Sequence, residues 1–210
     1  LGVEVETNHK IDRQALLDLA REHDGVLVAT GQQEQVGLRL GLDGTTAVVQ
    51  GIEFLDHVYR QDVRVDGEDV VVIGGGNTAM DAARSALRLG AASVRIVYRR
   101  SREEMPAIAE EIDETLEEGV AIDYLVQPVA LHEDKADGMK RHYRLQCVRM
   151  ELGEPDESGR RSPVAVPCSE FELDCHRVIL ALGQSPDISV FPEGTEVREG
   201  AQLLGRLEVV

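Results

Sequence analysis

Six consecutive residues, Gly74-Gly75-Gly76-Asn77-Thr78-Ala79, have the types and spacing to hold a phosphate. Glycine lets a backbone turn sharply and lets an anion reach bare amides, because no Cβ stands in the way. Asn77 and Thr78 suit the first free N–H groups of a following helix. Ala79 completes Gly-x-Gly-x-x-Ala, whose last small residue allows close packing of helix and strand. The helix N-terminus adds partial positive charge and unpaired donors, which favour a pyrophosphate. A second group lies downstream, at Tyr98-Arg99-Arg100-Ser101-Arg102. A unit selective for NAD usually carries Asp or Glu there, for the ribose 2′-hydroxyl, and a carboxylate repels a 2′-phosphate. Planar guanidinium groups bind a phosphate dianion in a fork. Arg99 and Arg100 are thus candidate 2′-phosphate ligands, and NADPH is the favoured nucleotide. The competing readings are a ligand-free tight turn for the glycines and a solvated basic loop for the arginines.

These residues need a strand, a helix and a second strand to position them. Val70 to Ile73 is an apolar, β-branched run without alternation, as a strand buried on both faces requires. A helix follows the glycines, and Ser93 to Tyr98 reads as the second strand, at the spacing of one strand–helix–strand unit.

The rest of the composition narrows the chemistry. The 210 residues carry a net charge of −17, which disfavours nucleic acid and anionic membranes as partners and requires a local basic patch for any anionic ligand. A hydrophobic fraction of 42% supports a core, and no apolar run is long enough to span a bilayer. Cys147, Cys168 and Cys175 are odd in number and lack CxxC spacing, so neither a disulfide framework nor a metal cluster is indicated. A reducing cytoplasm fits. His9, His23, His57, His132, His142 and His176 are scattered, without metal-ligand spacing. Gly-x-Ser-x-Gly and Tyr-x-x-x-Lys are both missing, which disfavours a hydrolase and a free-standing short-chain dehydrogenase. Chemistry is therefore expected from bound cofactors.

Along the chain, Leu1 to Glu6 reads as a short strand and Ile11 to Arg21 as an amphipathic helix capped by Asp12. Val26 to Ala29 reads as a buried strand ending in Thr30-Gly31-Gln32, either a plain turn or backbone brought up to a ligand. Leu38 to Gly51 looks loop-rich, and Ile52 to Arg60 helical. A domain boundary is expected in the polar stretch Gln61 to Glu68. Pro106 suits a helix start; that helix runs to Glu118, with an acidic solvated face, and ends at Gly119. Val120 to Gln127 reads as a third parallel strand. Val129–His132, Tyr143–Leu152 and Phe171–Leu173 read as an antiparallel meander, with turns at Asp137-Gly138 and Asp156 to Gly159. Arg177 to Leu182 is a last buried strand ending in Gly183-Gln184, and Leu203 to Val210 a weak one.

GGGNTAMDAARSALRLGA followed by VYRRSREEMPA resembles the pyridine-nucleotide domain of the NADPH-dependent glutamate synthase small-subunit family. It is similar also to the flavoprotein part of dihydropyrimidine dehydrogenase and to iron–sulfur-linked oxidoreductase subunits. VLVATG and VILALGQSPD extend the likeness nearly end to end. The resemblance implies an α/β, glutathione-reductase-like flavoprotein with two dinucleotide-binding domains: a Rossmann-like parallel sheet carrying the antiparallel meander, inserted into an FAD domain. It divides the chain at 1–66 (FAD-domain part), 67–183 (NADPH domain) and 184–210 (FAD-domain part). It implies pyrophosphate binding by Gly74, Gly75, Gly76, Asn77, Thr78 and Ala79 and 2′-phosphate binding by Arg99 and Arg100. Thr30, Gly31 and Gly183 would face the flavin, whereas Glu103 to Pro106 share the motif without an implied role. The implied activity is hydride transfer from NADPH to FAD, with electrons leaving through iron–sulfur clusters to a larger partner subunit. The family's upstream FAD glycine turn, its downstream Gly-Asp motif and its N-terminal cysteines have no counterpart here. The chain is therefore expected to be an excised piece, inactive alone. A non-catalytic nucleotide-binding or sensing module and a purely structural Rossmann domain are the alternatives.

Overall fold

A computed structural model of the chain describes residues 2–31, 34–35, 37–41, 47–134, 141–156, 159–185 and 187–192. Its elements in chain order are α1 (Arg13–Glu22), β1 (Glu34–Gln35), β2 (Val48–Gln50), α2 (Gly51–Arg60), β3 (Asp69–Ile73), α3 (Asn77–Arg88) and β4 (Ser93–Tyr98). After a 3₁₀ turn (Arg102–Glu104) come α4 (Ala109–Glu117), β5 (Ala121–Tyr124), β6 (Val126–Glu133), β7 (Tyr143–Pro155), β8 (Arg161–Ala165), β9 (Phe171–Cys175), β10 (Arg177–Leu180) and β11 (Gln184–Ser185). The turn at Asp137-Gly138 and the strand expected at Leu203 to Val210 lie outside the described residues.

The chain divides into two compact units, residues 35–183 and residues 1–34 with 184–210. In the larger unit five parallel strands run in the order β2-β10-β3-β4-β5, and β7 pairs antiparallel with β6, β8 and β9. Successive side chains of a strand point to opposite faces, and β3 uses both. Val70 and Val72 pack with Ala79, Met80, Ala82, Ala83 and Ala86 of α3. Val71 and Ile73 pack with Leu131, Tyr143, Leu145 and Cys147 of the antiparallel sheet. The unbroken apolar run at Val70 to Ile73 reflects this two-sided burial. The alanines of α3 let the helix lie close to the sheet, and so fix where its N-terminus stands.

The boundary expected at residues 66–67 lies within the span of the larger unit, where β2 is a strand of the sheet and α2 packs against α3. The strand expectations are corrected in three places. β2 itself occupies a stretch read as loop; three residues leading into Gly51 carry little pattern, and their pairing comes from distant β10. Val120 to Gln127 is two strands. Leu125, at φ +57, turns the chain from one sheet to the other. Its N–H donates to Arg100 O at 3.1 Å, and its carbonyl accepts from Met150 N at 2.8 Å. β8 went unread because, behind Arg161-Ser162-Pro163, only Val164 and Ala165 give it an apolar strand pattern.

In the smaller unit Asp12 caps α1, accepting from Ala15 N at 2.9 Å, and Arg13 donates to Ser189 O at 3.2 Å. Neither the described residues 2–6 nor Val26 to Ala29 form strands, and Leu27 is 91% exposed. An apolar run predicts a strand only where a neighbouring strand offers it a ladder.

Candidate functional site

The turn from β3 into α3 contains three glycines needed for three different reasons. Gly74 has φ +147, and a Cβ there would run into the Ala181 carbonyl oxygen. That close approach of β10's end is held by Ala181 N donating to Ile73 O at 2.8 Å. A Cβ on Gly75 would lie 2.5 Å from Cε2 of Tyr98. Gly76 is different: among the described residues beyond its chain neighbours, the one atom near its Cβ position is Pro106 Cγ, at 3.9 Å. It is the N-cap of α3 and brings no side chain to the unpaired amides of the first helical turn. Among the described residues the Gly76 Cβ position is thus nearly free of neighbours, as a phosphate cradle beside those amides requires. Ala79 is fully buried beneath the turn, in the close-packing role its size suggested.

The segment after β4 is fastened to this turn. Ala107 N donates to Gly75 O at 3.1 Å, Ile108 N to Asn77 Oδ1 at 3.0 Å, and Tyr98 Oη to Glu104 O at 2.7 Å. The Asn77 side chain therefore braces the neighbouring loop, while its backbone amide stays in the first turn of α3. α4 begins at Ala109 and not at Pro106, because Ile108, at φ −62 and ψ 133, is still extended and serves as its N-cap. The motif Glu103 to Pro106 thereby gains a structural place as the wall beside Gly76. Tyr98, Pro106, Ala107 and Ile108 are site residues that sequence reasoning missed. The only sign of them was the motif itself.

The basic cluster is sorted by the fold. Ile73 and Val97 are register partners on β3 and β4, so Arg99 leaves the sheet on the strand next to the glycine turn. Arg99 is exposed, and among the described residues its guanidinium has no partner. Arg84, Arg95, Arg100 and Arg102 each face a carboxylate. Arg100, the other expected 2′-phosphate ligand, is 5% exposed and paired with Asp156 at 2.5 Å. Arg102 is bonded to Asp113, which raises its pKa. The acidic face of α4 is only partly solvated, since Glu114 and Glu118 pair with Arg84 of α3. Bonds from Arg84 and Arg88 lower the Glu118 pKa.

Thr30 and Gly31 lie exposed in the smaller unit, with Gly31 at φ +72. Gly183, at φ +99, ends the larger unit. Among the described residues no cluster of His, Cys, Asp or Glu is arranged to hold a metal ion. No described helix is long and apolar enough to cross a membrane.

A family model described as pyridine nucleotide-disulphide oxidoreductase matches residues 2–204. The chain belongs to this family. Its members are oxidoreductases that bind FAD and NADPH. The NADP(+)-dependent formate dehydrogenase subunit beta of Moorella thermoacetica is 44% identical over 94% of the chain and 28% of its own length. The NADPH-Fe(3+) oxidoreductase subunit beta of Geobacter sulfurreducens is 41% identical over 92% of the chain and 29% of its own length. The glutamate synthase [NADPH] small chain of Escherichia coli is 33% identical over 89% of the chain and 41% of its own length. The chain thus spans less than half of each of these relatives. A thioredoxin reductase structure from T. acidophilum matches with TM-score 0.54 at 18% identity, over 81% of this chain and 48% of that one. The fold is that of the flavoproteins with two dinucleotide-binding domains.

The disulphide in the family's description finds no redox pair among these cysteines. Cys147 and Cys175 are buried in β7 and β9, and burial pushes both thiols up to about 12. The thiolate is the reactive form, so only exposed Cys168 is available to reagent. Ellman's reagent at pH 8 is expected to titrate one thiol in the native protein and three in denaturant; three in the native state would contradict the burial.

Proposed function

We propose that this chain is the NADPH-binding part of a flavoprotein oxidoreductase. The observation that carries the reading is the pairing of two features at the C-terminal edge of adjacent strands. One is the open cradle at Gly76, over the N-terminus of α3. The other is Arg99, exposed and without a partner among the described residues. Ligands of open α/β sheets bind outside the carboxyl ends of the strands. A pyrophosphate at the cradle accepts from the first amides of α3, and a 2′-phosphate is met by Arg99. The names of the three relatives, each specifying NADP(+) or NADPH, support the same nucleotide.

In the whole protein FAD would supply the acceptor for hydride from the nicotinamide, and iron–sulfur clusters would supply the route for electrons to a larger partner subunit in the cytoplasm. The residues present here bind and orient the donor.

Titration of the purified chain, by quenching or by calorimetry, tests the nucleotide assignment. NADPH is expected to bind about tenfold or more tightly than NADH, the worth of one charge-assisted contact. Equal affinities would remove Arg99 from the site, and binding of neither nucleotide would leave a purely structural Rossmann domain.

A further inference from the structure

The two neighbouring arginines after β4 do different things. The Arg100 guanidinium donates from Nη2 to Asp156 Oδ2 at 2.5 Å and from Nε to Arg161 O at 2.8 Å. Both acceptors sit where β7 returns into β8, beyond Pro155 and at Arg161. That turn is itself bonded, Asp156 N donating to Arg160 O at 2.7 Å and Arg160 N to Asp156 Oδ1 at 3.2 Å. The backbone of Arg100 is held from the other side, its carbonyl accepting from Leu125 N. Tyr98, on the far side of Arg99, is tied through its hydroxyl to the Glu104 carbonyl. Arg99 is thus flanked by two anchored residues, and only its own side chain is left to solvent.

We infer that the β7–β8 hairpin sets the nucleotide preference: Asp156 and Arg100 are positioning residues that hold Arg99 for the 2′-phosphate, and Arg100 does not itself read it. The inference rests on the NADPH reading above and extends it. The charge of Arg100 is already matched by a carboxylate in a buried place, and a second anion would have to displace that carboxylate. Uncompensated, the Asp156 carboxylate would also repel a phosphate dianion nearby. Removing Arg100 alone would therefore weaken NADPH under either role. Removing Asp156 separates them. A direct ligand released from its carboxylate would bind NADPH as well as before or better. A positioning residue released from its anchor lets Arg99 wander, and NADPH binding falls.

The test is titration of NADPH and NADH into the purified chain and its variants. Asp156→Ala is expected to weaken NADPH about three- to tenfold, with NADH changed less than about twofold. Asp156→Glu, which restores the carboxylate, is expected to recover most of the preference. In an Arg99→Gln background Asp156→Ala is expected to add nothing to the loss, since residues acting through one another are non-additive. Should the alanine variant not fold, Asp156→Asn keeps an acceptor oxygen and is expected to shift the ratio in the same direction by less. The inference is overturned by an unchanged or increased preference in Asp156→Ala or Asp156→Asn. It is overturned equally by equal loss of both nucleotides, which would mean fold support alone, or by a full Asp156 effect on top of Arg99→Gln. A wild-type chain without NADPH preference would remove the nucleotide reading and this inference with it. A preference insensitive to Asp156 removes only the hairpin.

Discussion

Gly76→Val is expected to abolish binding of NADPH and NADH alike, while the circular dichroism spectrum stays that of the wild type. Gly76 has φ −93 and ψ 176, an extended backbone that valine adopts without strain. Among the described residues beyond its chain neighbours, only Pro106 Cγ lies near its Cβ position. The structural cost is the poorer N-cap, roughly 1 kcal/mol, a small part of the ~5–15 kcal/mol that stabilises a typical domain. The branched side chain instead fills the space over the first amides of α3, where the pyrophosphate has to sit. Gly74→Ala makes the opposite comparison. Its Cβ collides with the Ala181 backbone, so it is expected to lower thermal stability whether or not nucleotide is present. Normal binding by a folded Gly76→Val protein would remove the glycine turn from the site. Loss of fold in that variant would show that this glycine, too, serves packing.

The contrast among the three glycines also shows how far the sequence could be read. Gly-x-Gly-x-x-Ala announces a turn of this shape because strand, turn and helix are consecutive and their demands are local. Val70 to Ile73 was legible as a doubly buried strand, and Asp12 as a cap, for the same reason. Gly76 could be singled out for the ligand from the motif, but what holds the other two glycines was not legible, since Gly74 answers to Ala181 and Gly75 to the Tyr98 ring, and both arrive from elsewhere in the chain. The division of labour between Arg99 and Arg100 was hidden in the same way. Two adjacent arginines look equivalent until the fold brings up Asp156 beside one of them. Val26 to Ala29 fails in the reverse sense: its composition suits a buried strand, yet no ladder forms there and Leu27 faces solvent. Leu125, whose left-handed backbone divides β5 from β6, carries no mark in the sequence at all, because leucine is not a residue that favours that conformation.

Arg99→Gln is the complementary change, expected to cost NADPH about tenfold or more and NADH little. A hydrogen bond to a charged group contributes about 1.5–3 kcal/mol, and each 1.4 kcal/mol is a factor of about ten in affinity. NADH lacks the 2′-phosphate and so has nothing to lose at this position. The variant should fold normally, because the Arg99 guanidinium is exposed and has no partner among the described residues. Glutamine keeps length and polarity while removing the charge. Ionic strength gives an independent reading of the same contact. At an exposed site salt screens the attraction between guanidinium and dianion, so the wild-type preference for NADPH should narrow as salt is raised. The variant, having lost the charge, should show a weaker salt dependence of the ratio. The rest of the chain sharpens the expectation, since a protein of net charge −17 repels an anionic ligand everywhere except where a cation is left uncompensated. Equal loss of both nucleotides in Arg99→Gln would assign the residue to the shared part of the ligand. No loss of either would leave the 2′-phosphate to be read by some other cation.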